Sequence, residues 1–136
     1  MLNHGRHVVK ASGTLLSIEA WGPWNREAAL MFSEAVHGAV ETMRAETWGQ
    51  LACLYGEGLY TPESMPVLTE LHTWRVDHGL RHIAIVHDRD APEVAKVTEY
   101  QFNRIYTDSA DKRCVTRYFY YVEDALSWLA EWGHQA

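Results

Sequence analysis

The sequence has 136 residues, of which 47% are hydrophobic and 22% are charged. A chain of this length fits one domain with a self-supporting core, so we expect a single domain over residues 1–136, with residues 1–6 and 134–136 flexible. The formal net charge of −6 and the absence of a long basic run argue against a nucleic-acid-binding protein. The first residues lack the apolar segment of a signal peptide, and the longest aliphatic run, residues 83–86, is too short to span a membrane. We therefore expect a cytoplasmic protein.

Cysteine and histidine, the residue types that most often bind metals, are dispersed along the chain. Cys53 and Cys114 lie in separate apolar stretches without CxxC spacing, which favours free thiols over a disulfide. The eight histidines form no HExxH or His-x-His pair. His82 and His87 are five residues apart on one predicted strand, so their side chains leave opposite faces, and His134 is expected to be mobile. We predict no metal site and no cofactor.

The first third of the chain predicts a β-hairpin followed by a helix. Residues 8–11 and 14–21 alternate as strands would, and a Ser-Gly turn joins them. Asn25 is the expected N-cap of a helix whose apolar stripe runs through Met43. Residues 51–55 are apolar on both faces, which is typical of a central parallel strand.

The remainder alternates helices with strands. Thr61, followed by proline and glutamate, predicts an N-cap and the start of a second helix. Residues 81–87 form the clearest predicted strand, and Asp90 is the expected N-cap of a third helix, with a glutamate three residues later completing a capping box. Residues 113–120 alternate as a half-exposed strand, and an amphipathic helix over residues 122–132 follows.

The element order is therefore β-β-α-β-α-β-α-β-α. Strands that alternate with helices indicate right-handed crossovers and a parallel sheet, to which the opening hairpin adds an antiparallel strand. We predict an α/β fold with a mixed, mostly parallel five-stranded sheet and four helices.

Two segments resemble bacterial STAS (anti-sigma-factor-antagonist-like) domains, and most closely the branch compared with the lipid-binding Sec14 (CRAL-TRIO) domains. Residues 81–88, RHIAIVHD, are similar to a basic-x-x-Ala-aliphatic-Val strand of that branch. Residues 116–129, TRYFYYVEDALSWL, are similar to its aromatic strand, acidic pair and Ala-Leu-x-Trp-Leu helix. The resemblance covers residues 7–133 and rests on core-packing patterns, so it implies a STAS-like fold rather than a function.

The chain departs from the signalling members of that family at one position. Those members carry an Asp-Ser-Ser/Gly-type element, with a phosphorylated serine, at the start of the helix after the third strand. Here residues 55–64 read YGEGLYTPES, and the element is missing. Thr61 and Ser64 are the nearby hydroxyls and the candidate phospho-acceptors, although each is also explained by the first turn of a helix.

Aromatic residues near the carboxyl ends of the strands are the best candidates for a binding site, because ligands of open parallel sheets gather there. The candidate ligand-binding residues are Trp21, Trp24, Tyr55, Glu57, Tyr60, His87, Tyr118 and Tyr120. With no GxSxG, P-loop or GxGxxG motif in the sequence, we predict no catalytic residues and a non-enzymatic module that holds an apolar small molecule or a protein partner. Alternatives are a phospho-switched module of the anti-sigma-antagonist type and a small enzyme that uses Glu57 and His87. A homodimer is a further partner to test.

Overall fold

A computed structural model describes residues 5–56, 60–88, 90, 92–106 and 112–136 of the chain. Within these residues, five strands and four helices follow the predicted order and confirm the predicted fold class. The elements are β1 (Arg6–Ser12), β2 (Leu15–Trp21), α1 (Arg26–Glu41), β3 (Trp48–Tyr55), α2 (Ser64–Asp77), β4 (Leu80–Val86), α3 (Pro92–Tyr106), β5 (Val115–Phe119) and α4 (Val122–Glu131). None of the helices in this part of the chain combines the length and the apolar character needed to cross a bilayer.

The sheet has the spatial order β1-β2-β3-β4-β5, which is also the order along the chain. The hairpin strands β1 and β2 pair antiparallel, and β2 to β5 pair parallel. Parallel neighbours need a crossover connection, and α1, α2 and α3 supply the three that this sheet requires. When such crossovers keep one hand and the sheet grows in one direction, their helices lie on the same face. The helix α4 follows the last strand and is free to pack on the opposite face.

The face covered by α1, α2 and α3, here called the three-helix face, carries the larger core. Alternate residues of the strands, such as Leu16, Ile18 and Ile83, point into it and are almost fully buried. Phe32 of α1 and Phe102 of α3 pack into the same cluster. At about 25 cal/mol per Å² of apolar surface removed from water, this cluster is the main source of stability.

The opposite face, here called the α4 face, has a smaller core under a single helix. Leu15, Leu51 and Ala84 of the strands pack with Trp128 and Leu129 of α4. The helix packs mainly on β3, β4 and β5. The strands β1 and β2 are therefore less covered on this face, and residues such as Val8 and Glu19 are exposed there.

Two predicted helix starts have different outcomes. Asn25 caps α1, and its Oδ1 atom accepts a hydrogen bond from the backbone N–H of Ala28 at 2.8 Å. The prediction that Thr61 caps α2 is wrong, because the helix begins three residues later, at Ser64, without a side-chain cap. The carbonyl of Thr61 accepts hydrogen bonds from the Ser64 backbone N–H and hydroxyl, so the chain makes a tight turn before the helix.

The last residues of the chain pack against the β1–β2 turn. The Thr14 backbone N–H donates to the carbonyl of Gln135 at 2.9 Å, and the Gln135 N–H donates to the Thr14 hydroxyl at 2.8 Å. His134, expected to be mobile, is only 5% exposed, and its ring fills the space above Gly49. Cys53 and Cys114 are both free thiols, as predicted.

Candidate functional site

The chain leaves the carboxyl ends of β4 and β5 toward opposite faces of the sheet, and a cleft lies outside these strand ends. After β4 the chain turns to α3 on the three-helix face, whereas after β5 it turns to α4 on the opposite face. Adjacent parallel strands whose connections leave on opposite sides create a crevice outside their carboxyl ends, where open α/β sheets bind ligands. The topology of the chain therefore places a candidate site here.

This strand-end cleft has a volume of about 820 Å³. It extends from the end of β3 across β4 to the start of α4. Its lining residues are Cys53, Tyr55, Val86, His87, Asp88, Asp90, Tyr120, Tyr121, Val122 and Glu123. Three of the predicted ligand-binding residues, Tyr55, His87 and Tyr120, are among them, whereas Glu57 lies outside the described residues.

Asp88 holds the two loops at the edge of the cleft together. Its Oδ2 atom accepts a hydrogen bond from the backbone N–H of Gly56 at 3.3 Å, and its Oδ1 atom accepts from that of Asp90 at 2.9 Å. Gly56 has a φ of +65°, which favours glycine, so the loop after β3 can turn toward Asp88. One carboxylate thereby fixes the ends of β3 and β4 relative to each other.

His87 is held by the three-helix side of the sheet. Its Nε2 atom lies 3.1 Å from Glu99 Oε1 on α3, and its ring stacks on Tyr118 with the centroids 5.4 Å apart. The imidazole is 3% exposed, and burial lowers its pKa, an effect that the neighbouring Glu99 carboxylate partly opposes. A neutral imidazole here donates from Nε2 to Glu99, so this nitrogen is already engaged.

Tyr55 and Cys53 form the floor of the cleft near β2. The Tyr55 ring stacks on Trp21 of the neighbouring strand, with the centroids 5.2 Å apart, so Trp21 contacts a lining residue without lining the cleft itself. Burial, and then the nearby Glu19 carboxylate, raise the pKa of the Cys53 thiol, and burial also raises the pKa of the Tyr55 phenol. Both groups are therefore neutral near pH 7, and a protonated thiol is a poor nucleophile.

The two candidate tyrosines of the last strand segment differ in role. Tyr118 donates a hydrogen bond from its hydroxyl to Asn103 Oδ1 at 2.9 Å and stacks on His87, so it belongs to the packing behind the cleft. Tyr120 lies just after β5, 57% exposed, and lines the cleft. Its ring centroid is 6.4 Å from that of His87.

Trp24 and Tyr60, the remaining aromatic candidates, lie away from the strand-end cleft. Trp24 is buried in the core, where it packs edge-on against Phe32 and stacks on Tyr60. Tyr60 also lines a second, more apolar groove of about 730 Å³ between α2 and α3. Val97 and Tyr100 of α3 are exposed along this groove.

The candidate phospho-acceptors lie at the start of α2. The Ser64 side chain is fully buried and its hydroxyl donates to the carbonyl of Thr61 at 2.7 Å. The Thr61 hydroxyl oxygen is also buried. A kinase would reach either hydroxyl only after this turn opens.

A pair of histidines on the α4 face was not visible in the sequence. His82 Nδ1 lies 2.9 Å from His134 Nε2, and the His82 ring stacks on Trp132 with the centroids 4.5 Å apart. The two residues are 52 positions apart, so only the packing of the chain end under α4 brings them together. No group of three or more His, Cys, Asp or Glu side chains in the described ranges could hold a metal ion.

One solved structure supports the fold assignment. The chain is similar to an uncharacterized protein of the DUF3478 family with a SpoIIAA-like fold from Shewanella loihica PV-4, with a TM-score of 0.61 and 16% identity. The similarity covers 95% of this chain and 96% of that one. The STAS-like fold is thus supported, whereas the relation to the Sec14 branch rests on the sequence resemblance alone. No protein-family model and no curated protein matches the chain.

Proposed function

We propose that this chain is a cytoplasmic, non-enzymatic binding module that holds a small molecule with an apolar body in the strand-end cleft. The observation that carries the proposal is the cleft itself, which opens where the connections after β4 and β5 leave on opposite sides of the sheet. Its volume of about 820 Å³ lies within the range of about 300–1,000 Å³ that is common for ligand pockets.

The chemistry of the lining favours binding over catalysis. The Cys53 thiol and the Tyr55 phenol both have a raised pKa, so neither is an activated nucleophile or base. The His87 imidazole is almost fully buried, which limits the access of a substrate proton to its ring. The alternative of an enzyme that uses Glu57 and His87 therefore has less support than a binding role.

Native mass spectrometry tests this proposal directly. The protein is incubated with a bacterial lipid and metabolite extract, desalted, and examined for retained mass. We expect a retained small molecule that is lost in Tyr120→Ala but kept in Tyr100→Ala, which removes a comparably exposed ring from the α2–α3 groove. Retention that depends on Tyr100 would move the site to the groove, and no retention by the unmodified protein would reject the small-molecule proposal.

A phospho-switched module of the anti-sigma-antagonist type is the second candidate, and the SpoIIAA-like fold favours it. Its acceptor would be Thr61 or Ser64, released by opening of the turn before α2. Phosphopeptide mass spectrometry after incubation with bacterial lysate and ATP tests it. Phosphate on either residue, absent in Thr61→Ala and Ser64→Ala, would support it, and phosphate confined to other sites would reject it.

A protein is the alternative binding partner of this module, and a second copy of the chain is one such protein. Static light scattering of the purified protein distinguishes a second copy of the chain from other protein partners. A mass of twice 15.6 kDa would support a homodimer, and a monomeric mass over the accessible concentration range would leave only other partners.

A further inference from the structure

The formally charged side chains among the described lining residues of the strand-end cleft are acidic. Asp88, Asp90 and Glu123 line it, and no lysine or arginine is among its described lining residues. The Glu19 carboxylate lies close enough to the floor to raise the pKa of both the Cys53 thiol and the Tyr55 phenol. The described walls of the cleft therefore favour positive charge over negative charge in a bound molecule.

The same cleft presents aromatic rings to a ligand. Tyr55, Tyr120 and Tyr121 line it. A cation over the face of a tyrosine ring is attracted by the ring quadrupole, and cages of aromatic rings with carboxylates are a recurrent means of recognising ammonium groups. A cation already lies against the ring next to Tyr55. The Arg6 guanidinium is 4.7 Å from the ring centroid of Trp21, and Trp21 stacks on Tyr55.

Among the described residues, the start of α4 and the Arg6 guanidinium beside Trp21 would favour an anion. A helix N-terminus carries a partial positive charge of about half a unit, and no side chain of the described residues caps α4. However, Glu123 and Asp124 lie in its first turn, and two full negative charges there exceed that partial charge. Among the described residues that line the cleft, the balance of charge therefore remains negative.

Asp88 is well placed to act on a bound cation. Its two oxygens each accept one backbone N–H, from Gly56 and from Asp90. Each oxygen of the carboxylate keeps a further lone-pair direction that a ligand can use. The loops thus hold a fixed negative charge at the edge of the cleft.

We infer that the ligand of the strand-end cleft is an organic cation, an ammonium group on a short apolar body, held by the tyrosine rings and the surrounding carboxylates. This inference rests on the proposed binding function and adds the charge of the ligand to it. The ammonium group would lie near Asp88 and Glu123, and the apolar body would contact the rings of Tyr55 and Tyr120.

A matched set of three probes tests the charge preference. Choline, its uncharged isostere 3,3-dimethylbutan-1-ol and the anion 3,3-dimethylbutyrate are titrated at low ionic strength, and amide shifts are followed by ¹H–¹⁵N NMR. We expect choline to shift the amides of residues 55–56, 86–88 and 120–123. The alcohol should bind about tenfold more weakly, as the loss of a cation–π contact and nearby charges implies, and the anion should leave these amides unchanged.

Two variants test where choline binds, and a third variant is the control. Glu123→Gln and Tyr120→Leu should each weaken choline binding several-fold. Glu131→Gln removes a carboxylate from the other end of α4 and should leave choline binding unchanged. A thermal melt of each variant establishes that it is folded before it is titrated.

The outcomes separate this inference from the proposed function. Equal binding of the alcohol and choline at the same amides would overturn the charge inference while keeping the cleft as a ligand site. Preference for the anion would overturn it and indicate that the N-terminus of α4 dominates. No shift at these amides with any probe would also overturn it, while retention of an extract molecule that depends on Tyr120 would still support the proposed function.

Discussion

The two faces of the sheet differ in how completely helices cover them. Three helices bury the three-helix face, where the strands contribute a continuous apolar layer. A ten-residue helix alone packs on the α4 face, and the strand-end cleft opens beside its first turn. The contrast follows from the connectivity, because crossovers of one hand send three helices to one side. Stability is concentrated on one face, which leaves the other able to expose rings and carboxylates to a ligand.

Neighbouring leucines on β2 provide the strongest test of this contrast. Leu16 points to the three-helix face and Leu15 to the α4 face, and both are buried. We expect Leu16→Ala to lower the free energy of unfolding toward the upper end of about 2–5 kcal/mol, and Leu15→Ala toward its lower end, since fewer neighbours surround it. Urea denaturation measures both, and an equal or larger loss for Leu15→Ala would contradict the contrast.

Gly49 tests how tightly the chain end packs on the α4 face. A Cβ atom at this position would lie 2.7 Å from the His134 ring, so Gly49→Ala should lower the free energy of unfolding by about 1–3 kcal/mol. In a His134→Ala background the same change should cost less, because the ring atoms at 2.7 and 2.8 Å are gone and only the Cβ atom at 3.0 Å remains. An unchanged cost in that background would show that His134 is not what limits the space.

Acid should lower the free energy of unfolding through the histidine pair on the α4 face. Burial lowers the pKa of His82 and of His134, so the unfolded chain takes up protons at a higher pH than the folded one does. Stability is therefore full above the ordinary histidine pKa of about 6.5 and falls as the pH drops below it. The Arg81 charge, which also lowers the pKa of His82, acts in the same direction.

Chemical denaturation between pH 7 and pH 5 measures this slope. His7 and His87, whose pKa values are also lowered by burial, contribute to it from elsewhere in the molecule. The double variant His82→Phe with His134→Ala should remove up to about two of the protons taken up on unfolding. A slope that is the same in this variant and in the unmodified protein would exclude the histidine pair as a source.

The smallest effects on stability are expected at the cleft. Tyr120→Leu should change the free energy of unfolding by no more than about 0.5 kcal/mol, because the side chain is exposed. Tyr118→Leu, two residues earlier, should cost about 1–2 kcal/mol, since it removes the hydrogen bond to Asn103 and the stack on His87. A larger loss for Tyr120→Leu than for Tyr118→Leu would assign Tyr120 a structural role.

The element order was predictable because hydrophobic periodicity and turn residues agree along most of the chain. The start of β3 was not, since Gly49 and the polar Gln50 do not read as a buried strand. Gln50 can be buried because its side-chain oxygen accepts a hydrogen bond from Arg75 of α2. No local sequence pattern reveals this contact. At α2, the Thr-Pro-Glu pattern predicted a cap, but a tight turn at Thr61 delays the helix to Ser64.

The site was predictable in position more than in detail. The rule that ligands gather at the carboxyl ends of parallel strands grouped Tyr55, His87 and Tyr120, and all three line the strand-end cleft. The same rule could not show that Trp24 lies in the core, because its ring packs on Phe32 of α1. It also could not show that the His87 imidazole is hydrogen-bonded to Glu99, since Glu99 lies on α3, a separate element.

The agreement between strand order and chain order has a consequence for how the protein forms. Each of the five described strands pairs with the strands directly before and after it along the chain, so the sheet can grow from the β1–β2 hairpin as the chain emerges from the ribosome. The hydrogen bonds between Thr14 and Gln135 are different, because they join residues 121 positions apart. We expect these bonds to form after α4 has docked, later than the contacts between neighbouring strands.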